Sequence, residues 1–217
     1  MKICVIRSGP LAENTYLVLK EGKALVIDPG APADVILREC EKLSAEPIAV
    51  LLTHGHIDHI LGAAGLKRAG VRIYAGEEEF DVIAGRANLS LALRVSLDPF
   101  TPDFPVKDDE ILPLSPFSVR VISTPGHTKG GVSYLIENAL FSGDTLFRGS
   151  YGRTDFPTGD EGDLMNSIAN TLFELPPETE VYAGHSDSFS ALDVAEPASP
   201  DTTIGEEYST NPILNLL

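Results

Sequence analysis

The segment Thr53-His54-Gly55-His56-Ile57-Asp58-His59 puts three imidazoles and a carboxylate within six positions. Composition alone would give His-x-His-x-Asp-His in such a chain about two times in ten thousand. Groups crowded this closely repel or desolvate one another unless a cation holds them. Imidazole nitrogens and carboxylate oxygens are the donors that zinc, iron and manganese accept. Residues i and i+2 of an extended turn can face one ion, so His54 and His56 pair, while Asp58 and His59 can face a second. His59 is expected to begin a helix, whose dipole favours the neutral ring that a metal needs. The turn needs a rigid lead-in. Pro47 to Leu52, an apolar run too short for a helix, reads as a buried strand that delivers the chain to it.

Strand and helix signals alternate through the first third. Ile3 to Ile6, Asn14 to Leu19 and Ala24 to Ile27 read as strands, the last closed by the turn Asp28-Pro29-Gly30. Pro32 marks a helix start, and Ile36, Cys40 and Leu43 share one helical face. Helical character resumes after His59 and runs to Gly70. From Glu77 to Lys107 the pattern weakens, with a helix over Asn88 to Arg94 and then a Pro- and Asp-rich stretch read as surface loop. Phe117 to Ser123, Gly131 to Ile136 and Ala139 to Ser142 read as strands, with Glu137-Asn138 as a hairpin turn. Asp160 to Phe173 reads as a helix, and Val181 to Ala183 as a strand. The order predicts a layered α/β architecture with sheet inside and helices outside.

Three further candidate ligands fall at strand ends beside glycines: His127 in Thr124-Pro125-Gly126-His127, Asp144 in Ser142-Gly143-Asp144, and His185 in Gly184-His185. Glycine permits the close backbone approach that a loop wrapped round an ion requires. Singly, each also fits a turn aspartate or a capped histidine. Together with the first motif they complete two metal sites and use all five histidines.

Composition removes other classes. The chain has 217 residues, the size of one domain over 1–217, and 43% of them are hydrophobic, enough for a sizeable core. With 32 acids against 16 bases and a net charge of −16, it lacks the basic runs that hold a phosphate backbone, and its field repels an acidic membrane surface. No apolar run approaches the roughly 20 residues that cross a bilayer, and the first residues do not form a signal peptide, so a cytoplasmic location is expected. Cys4 and Cys40 are too few for a disulfide framework or thiolate cluster and read as small buried apolar residues.

These motifs resemble the metallo-β-lactamase superfamily, and within it the short-form glyoxalase II-like (hydroxyacylglutathione) hydrolases. The matches are Val26 to Gly30, Thr53 to His59, Thr124 to His127, Phe141 to Phe156, Gly184-His185 and Thr202 to Pro212. The resemblance implies a four-layer αββα sandwich with two divalent metals, zinc first and iron or manganese as alternatives, where the sheets meet. It implies that His54, His56 and His127 hold one metal, that Asp58, His59 and His185 hold the other, and that Asp144 bridges them. Asp58 and Asp144 are then the catalytic carboxylates. Two divalent ions, two carboxylates and a hydroxide leave a local charge of about +1 that attracts an electron-rich carbonyl, and hydroxide is available near neutral pH. The implied reaction is cleavage of a small-molecule thioester such as S-lactoylglutathione.

Two residues carry open readings. Asp28 is either a turn aspartate or, as the resemblance implies, an acceptor that orients a metal ligand without touching the ion. Arg153, nine residues past Asp144, is either a surface ion pair or an anchor for a substrate carboxylate. Asp187 stands where the relatives carry a glutathione-contacting tyrosine, and the C-terminal helical domain of the long-form enzymes has no counterpart here. Ser186 to Asp201, rich in Ser, Asp, Ala and Pro, reads as an irregular acidic loop that folds Phe189 and Leu192 inward as a partial lid. The rival activity is that of the mononuclear iron persulfide dioxygenases, which use the equivalents of His54, His127 and Asp144. A non-catalytic metal-binding protein is a third reading. A β-lactam substrate is disfavoured, because many such enzymes carry Cys where Asp144 stands.

Overall fold

The computed structural model describes residues 1–8, 12–185 and 192–216. Its strands are β1 (Lys2–Ser8), β2 (Glu13–Lys20), β3 (Lys23–Ile27), β4 (Glu46–Leu51), β5 (Arg72–Gly76), β6 (Phe104–Val106), β7 (Ile111–Leu112), β8 (Val119–Ser123), β9 (Val132–Ile136), β10 (Ala139–Gly143), β11 (Leu146–Phe147), β12 (Ser150–Tyr151), β13 (Glu180–Ala183), β14 (Leu192–Pro197) and β15 (Thr202–Thr203). The α-helices are α1 (Ala33–Lys42), α2 (Ile57–Ile60), α3 (Ala63–Arg68), α4 (Glu79–Ala84), α5 (Ser90–Leu93), α6 (Glu161–Asn170) and α7 (Ile204–Thr210). A seven-stranded sheet runs β14-β1-β2-β3-β4-β5-β6, and a six-stranded sheet runs β15-β13-β10-β9-β8-β7.

Period-two alternation sorts the side chains into layers. On β1, Cys4 and Ile6 pack under α1 and α3, while Val5 turns to the other face. On β3, Ala24 and Val26 likewise face the helices, and Leu25 and Ile27 face the second sheet. That central seam also takes Val119, Val121, Tyr134, Ile136 and Phe141. On the far side, Ile122, Leu140 and Val181 pack against Leu164 and Ile168 of α6 and Ile204 of α7. Three hydrophobic layers therefore separate helix, sheet, sheet and helix, which is the αββα sandwich. Both cysteines are buried, at 1% exposure each, and burial pushes the Cys40 thiol up to about 11. Among the described residues no helix is long and apolar enough to cross a membrane.

The structure corrects the sequence reading at three places. Segment 186–201 is not irregular throughout: β14 adds antiparallel to the outer edge of β1, with Cys4 opposite Pro197 and Val5 opposite Glu196. An edge strand tolerates its acids, and a proline as its last residue leaves the pairing intact. Residues 186–191, including Asp187 and Phe189, lie outside the described residues. The stretch before Lys107 contains β6, whose Pro105 is tolerated because that strand is also an edge. His59 does not begin its helix; it is the third residue of the single turn α2, and His56 is the residue before it.

Candidate metal centre

The polar residues of interest gather where strands of both sheets end. The end of β4 leads into Thr53 and His54, the loop after β8 carries His127, and Asp144 and His185 follow β10 and β13. The Val132 N–H donates to the Thr53 carbonyl at 2.9 Å, tying the two sheets at this point. Gly143 has φ +50°, a left-handed turn that redirects the chain before Asp144. A Cβ on Gly184 would collide with the Asp144 carboxylate and the His59 ring, so only glycine lets that strand end approach so closely. The start of β2 holds His185 from the other side: Asn14 N–H donates to the Gly184 carbonyl at 2.8 Å, and the Tyr16 hydroxyl to the Ala183 carbonyl at 2.8 Å.

His54, His56 and His127, all buried, form one group in which a ligand atom from each lies within 4.8 Å of the others. Asp58, His59 and His185 form a second such group. Asp144 reaches both: one oxygen is 3.4 Å from His59 Nε2, and the other is 3.5 Å from both His127 Nε2 and His185 Nε2. His185 Nε2 also lies 3.5 Å from Asp58.

The outer hydrogen bonds decide which ring nitrogen is free. The Thr53 hydroxyl donates to Asp28 at 2.6 Å, so its oxygen accepts the proton of His54 Nδ1 at 3.0 Å. His59 Nδ1 donates to Asp28 at 3.0 Å, and His127 Nδ1 donates to the Arg153 carbonyl at 2.7 Å. In the neutral rings each Nε2 then carries a lone pair and faces the same small volume, where His127 Nε2 lies 2.9 Å from His56 Nδ1 and His59 Nε2 3.3 Å from His185 Nε2. His54 Nε2, His56 Nε2 and Asp144 Oδ1 are buried with no hydrogen-bond partner among the described residues. Unsatisfied buried acceptors are costly, and a cation satisfies several at once. The donor set of imidazole and carboxylate thus fits one or two divalent ions of the zinc, iron or manganese type.

Electrostatics agree with that fit. Burial, reinforced by the other rings, holds His54 well below the ordinary histidine range, and burial beside His127 takes His56 down to about 3. Both rings are neutral, the form that binds metal. Burial also opposes charge on His59, but Asp144 and Asp58 outweigh it and pull this ring toward its cationic form. In the metal-free protein the surrounding carboxylates, and not the dipole of a one-turn helix, dominate the charge of this ring. Asp144 is held well below the usual carboxylate range, since His59 and His185 outweigh its burial.

Asp28 also belongs to a third group of possible ligands with His54 and His59. Its oxygens are already occupied, accepting the Thr53 N–H at 2.7 Å, the Thr53 hydroxyl and His59 Nδ1. It is placed to orient two rings. The Arg153 side chain is exposed, paired with both oxygens of Asp155 at 2.6 and 2.7 Å, and lies 3.9 Å over the Phe156 ring. Its carbonyl is the part that touches His127.

Glu79 escaped the sequence reading because Glu77-Glu78-Glu79 looks like a run of surface acids. It is fully buried. Its two oxygens accept the Gly55 N–H at 2.6 Å and the Gly130 N–H at 3.0 Å. One carboxylate thus clamps the His54-Gly55-His56 turn to the loop that follows His127. No spacing signal in the sequence marks it.

Comparison with known proteins agrees with this architecture. The profile of the metallo-β-lactamase superfamily matches residues 8–185. Hydroxyacylglutathione hydrolase GloC of Haemophilus influenzae is 35% identical over 223 residues, covering 99% of each chain. Among solved structures, the BLEG-1 B3 metallo-β-lactamase superposes with a TM-score of 0.86 at 33% identity, covering 98% of this chain and 99% of that one. TTHA1623 in a di-iron-bound form gives 0.81 at 33% identity, covering 96% and 98%. Sandwich, histidine turn and full-length similarity agree, and the chain belongs to the metallo-β-lactamase superfamily.

Proposed function

We propose that this metallo-hydrolase is dinuclear and cleaves a thioester, with an S-acylglutathione such as S-lactoylglutathione as the leading substrate. The observation that carries the reading is the pair of acceptor groups sharing Asp144 at the mouth of one cleft. In this reading residues 1–217 act as one domain, His54, His56 and His127 hold one ion, Asp58, His59 and His185 the other, and Asp144 contacts both. Two divalent ions, zinc by preference, supply a water of lowered pKa and a Lewis acid for the carbonyl.

The chain's own groups do the rest. Asp28, Thr53 and the Arg153 carbonyl keep three ring N–H groups turned outward, so the rings need no reorganisation when a substrate arrives. Asp58 and Asp144 line the cleft beside His185, and in this reading they would orient the attacking water and Asp58 would take its proton. Water adds to the carbonyl carbon, the C–S bond breaks, and a carboxylic acid and a thiol result. Thiolates leave readily, so no strong general acid is needed. The name of GloC and the di-iron form of TTHA1623 support a two-metal hydrolase.

Elemental analysis of the purified protein, paired with thiol release from S-lactoylglutathione, tests the proposal. Two ions per chain and metal-dependent thiol release support it. One iron per chain with persulfide-dependent oxygen uptake would replace it with the persulfide dioxygenase reading, which needs only His54, His127 and Asp144.

A further inference from the structure

A cleft of about 360 Å³ opens over the metal-ligand candidates, floored by His56, Asp58, His127, Asp144 and His185. The rest of its lining is of another character: Leu89, Ala92, Leu93 and the Phe156 ring, with Arg153. Leu93 is 48% exposed and its neighbour Leu91 69%, so these leucines serve no core. They are nevertheless held in place deliberately. Leu89 and Arg94, at the two ends of α5, have φ of +65° and +55°, left-handed values that bulky residues rarely adopt. Buried Asn88 secures the turn, donating to the Ile83 carbonyl at 2.8 Å and accepting the Ser90 N–H at 2.9 Å. Leu93 N–H closes the turn on the Leu89 carbonyl at 2.9 Å. Strain kept by surrounding structure at the rim of a cleft marks pre-organisation for a ligand. The cationic candidate at this rim, Arg153, already has both Asp155 oxygens and the Phe156 face as partners.

We infer that the α5 wall, Leu89, Ala92 and Leu93, together with Phe156, receives an apolar arm of the substrate, so that this cleft selects thioesters carrying an aliphatic or aromatic group next to the scissile bond. The inference rests on the thioester reading for its reaction and narrows its substrate class, placing thioesters with a longer apolar arm ahead of S-lactoylglutathione. The apolar group can enter on the acyl or the thiol side, and the same wall serves either. The cleft volume lies within the range of small-ligand sites and accommodates a chain of several carbons.

Two substrate series test this in metal-loaded protein. In one, the acyl group runs from acetyl to hexanoyl on a fixed N-acetylcysteamine thiol. In the other, the thiol runs from ethanethiol to hexanethiol with a fixed acetyl group. Burial of a methylene against this half-open wall should raise kcat/KM by roughly two- to fourfold, so one series should climb at least tenfold over four carbons. Leu93→Ser and Leu89→Gly should flatten the climb, read as the ratio of longest to shortest substrate. Leu89→Gly also removes the backbone strain, so misfolding does not confound it. A slope confined to one series places the arm on that side of the bond. Independently of turnover, the S-hexyl thioether of N-acetylcysteamine, which has no scissile carbonyl, should bind with a negative heat-capacity change. Leu93→Ser should weaken that binding at least threefold. Flat series in the unsubstituted protein, or slopes unaffected by both variants, overturn the inference. If no thioester turns over, the thioether decides: binding sensitive to Leu93→Ser upholds the apolar arm and removes the thioester reading, and no binding overturns the arm itself.

Discussion

Glu79 offers a sharp test of how the histidine turn is held. Its carboxylate is buried and accepts two backbone N–H groups, Gly55 at 2.6 Å and Gly130 at 3.0 Å. Burial raises the pKa of this acid, and the Thr128 side chain and the two N–H groups work in the other direction by favouring its anion. A hydrogen bond to a charged acceptor contributes about 1.5–3 kcal/mol, and a buried N–H left without an acceptor costs about 1–3 kcal/mol. Glu79→Ala abandons both donors at once, so metal-free protein should lose about 3–5 kcal/mol. Glu79→Gln keeps one acceptor and turns an NH₂ toward the other donor, and should lose about 2 kcal/mol. Because the clamp sits between Gly55 and Gly130, it fixes His54 and His56 relative to His127, and outer partners of metal ligands are worth about 10–100-fold in affinity. Urea unfolding of the metal-free forms gives the first quantity, and competition with a chromophoric chelator gives the second. If Glu79→Ala unfolds within 1 kcal/mol of the parent and binds its first metal equally well, the clamp plays no part in holding the site.

Asp144→Ala should lower occupancy of both metal positions and cut turnover by several orders of magnitude, whereas Asp58→Ala should chiefly empty one; metal counting on the two variants distinguishes them. Stripping the metals with a chelator should lower the melting temperature, since ligand at 100 times its Kd stabilises by about 2.7 kcal/mol, and readdition should restore it. Arg153→Ala should raise KM for glutathione thioesters and spare a small neutral thioester if its side chain anchors a carboxylate; equal losses on both would assign it to the Asp155 pair alone. Burial opposes ionisation of Asp103, but Lys67 and the Ile73 N–H outweigh it and hold this carboxyl below its usual range. Its contribution is therefore present above an unfolded pKa of about 3.9 and lost as pH falls through the lower folded value. The stability gap between the parent and Asp103→Asn should shrink below about pH 4, as acid titration of urea unfolding would show.

The sequence carried the centre further than the frame. That His54, His56, Asp58, His59, His127, Asp144 and His185 gather at one place was legible, because they form a dense, improbable pattern beside glycines. The inner strands were legible too, since β2, β3 and β4 are apolar runs bounded by turn residues. Edge strands were not: β6 and β14 contain prolines and charges that central strands exclude, and their pairing is set by the neighbour rather than by their own residues. Glu79 was hidden for a related reason. Its partners are backbone N–H groups, which every sequence has, so only the fold reveals that it is buried. Arg153 shows the converse, because its guanidinium drew notice while its carbonyl holds His127.

The pairing of β14 with β1 has a consequence for how the protein is made. A ribosome delivers β14 long after β1, so the outer edge of β1 stays unpaired while all the strands between them are made. An open strand edge is a template for a stray partner, and this one begins with an apolar stretch, Ile3 to Ile6. Once β14 docks, α1 seals its far side, with Glu39 accepting the Ala195 N–H at 3.1 Å. His185 emerges only shortly before that strand. From His127 until His185 is made, the nascent chain carries four histidines without the fifth, and the second group of ligands assembles in the same late interval that closes the sheet.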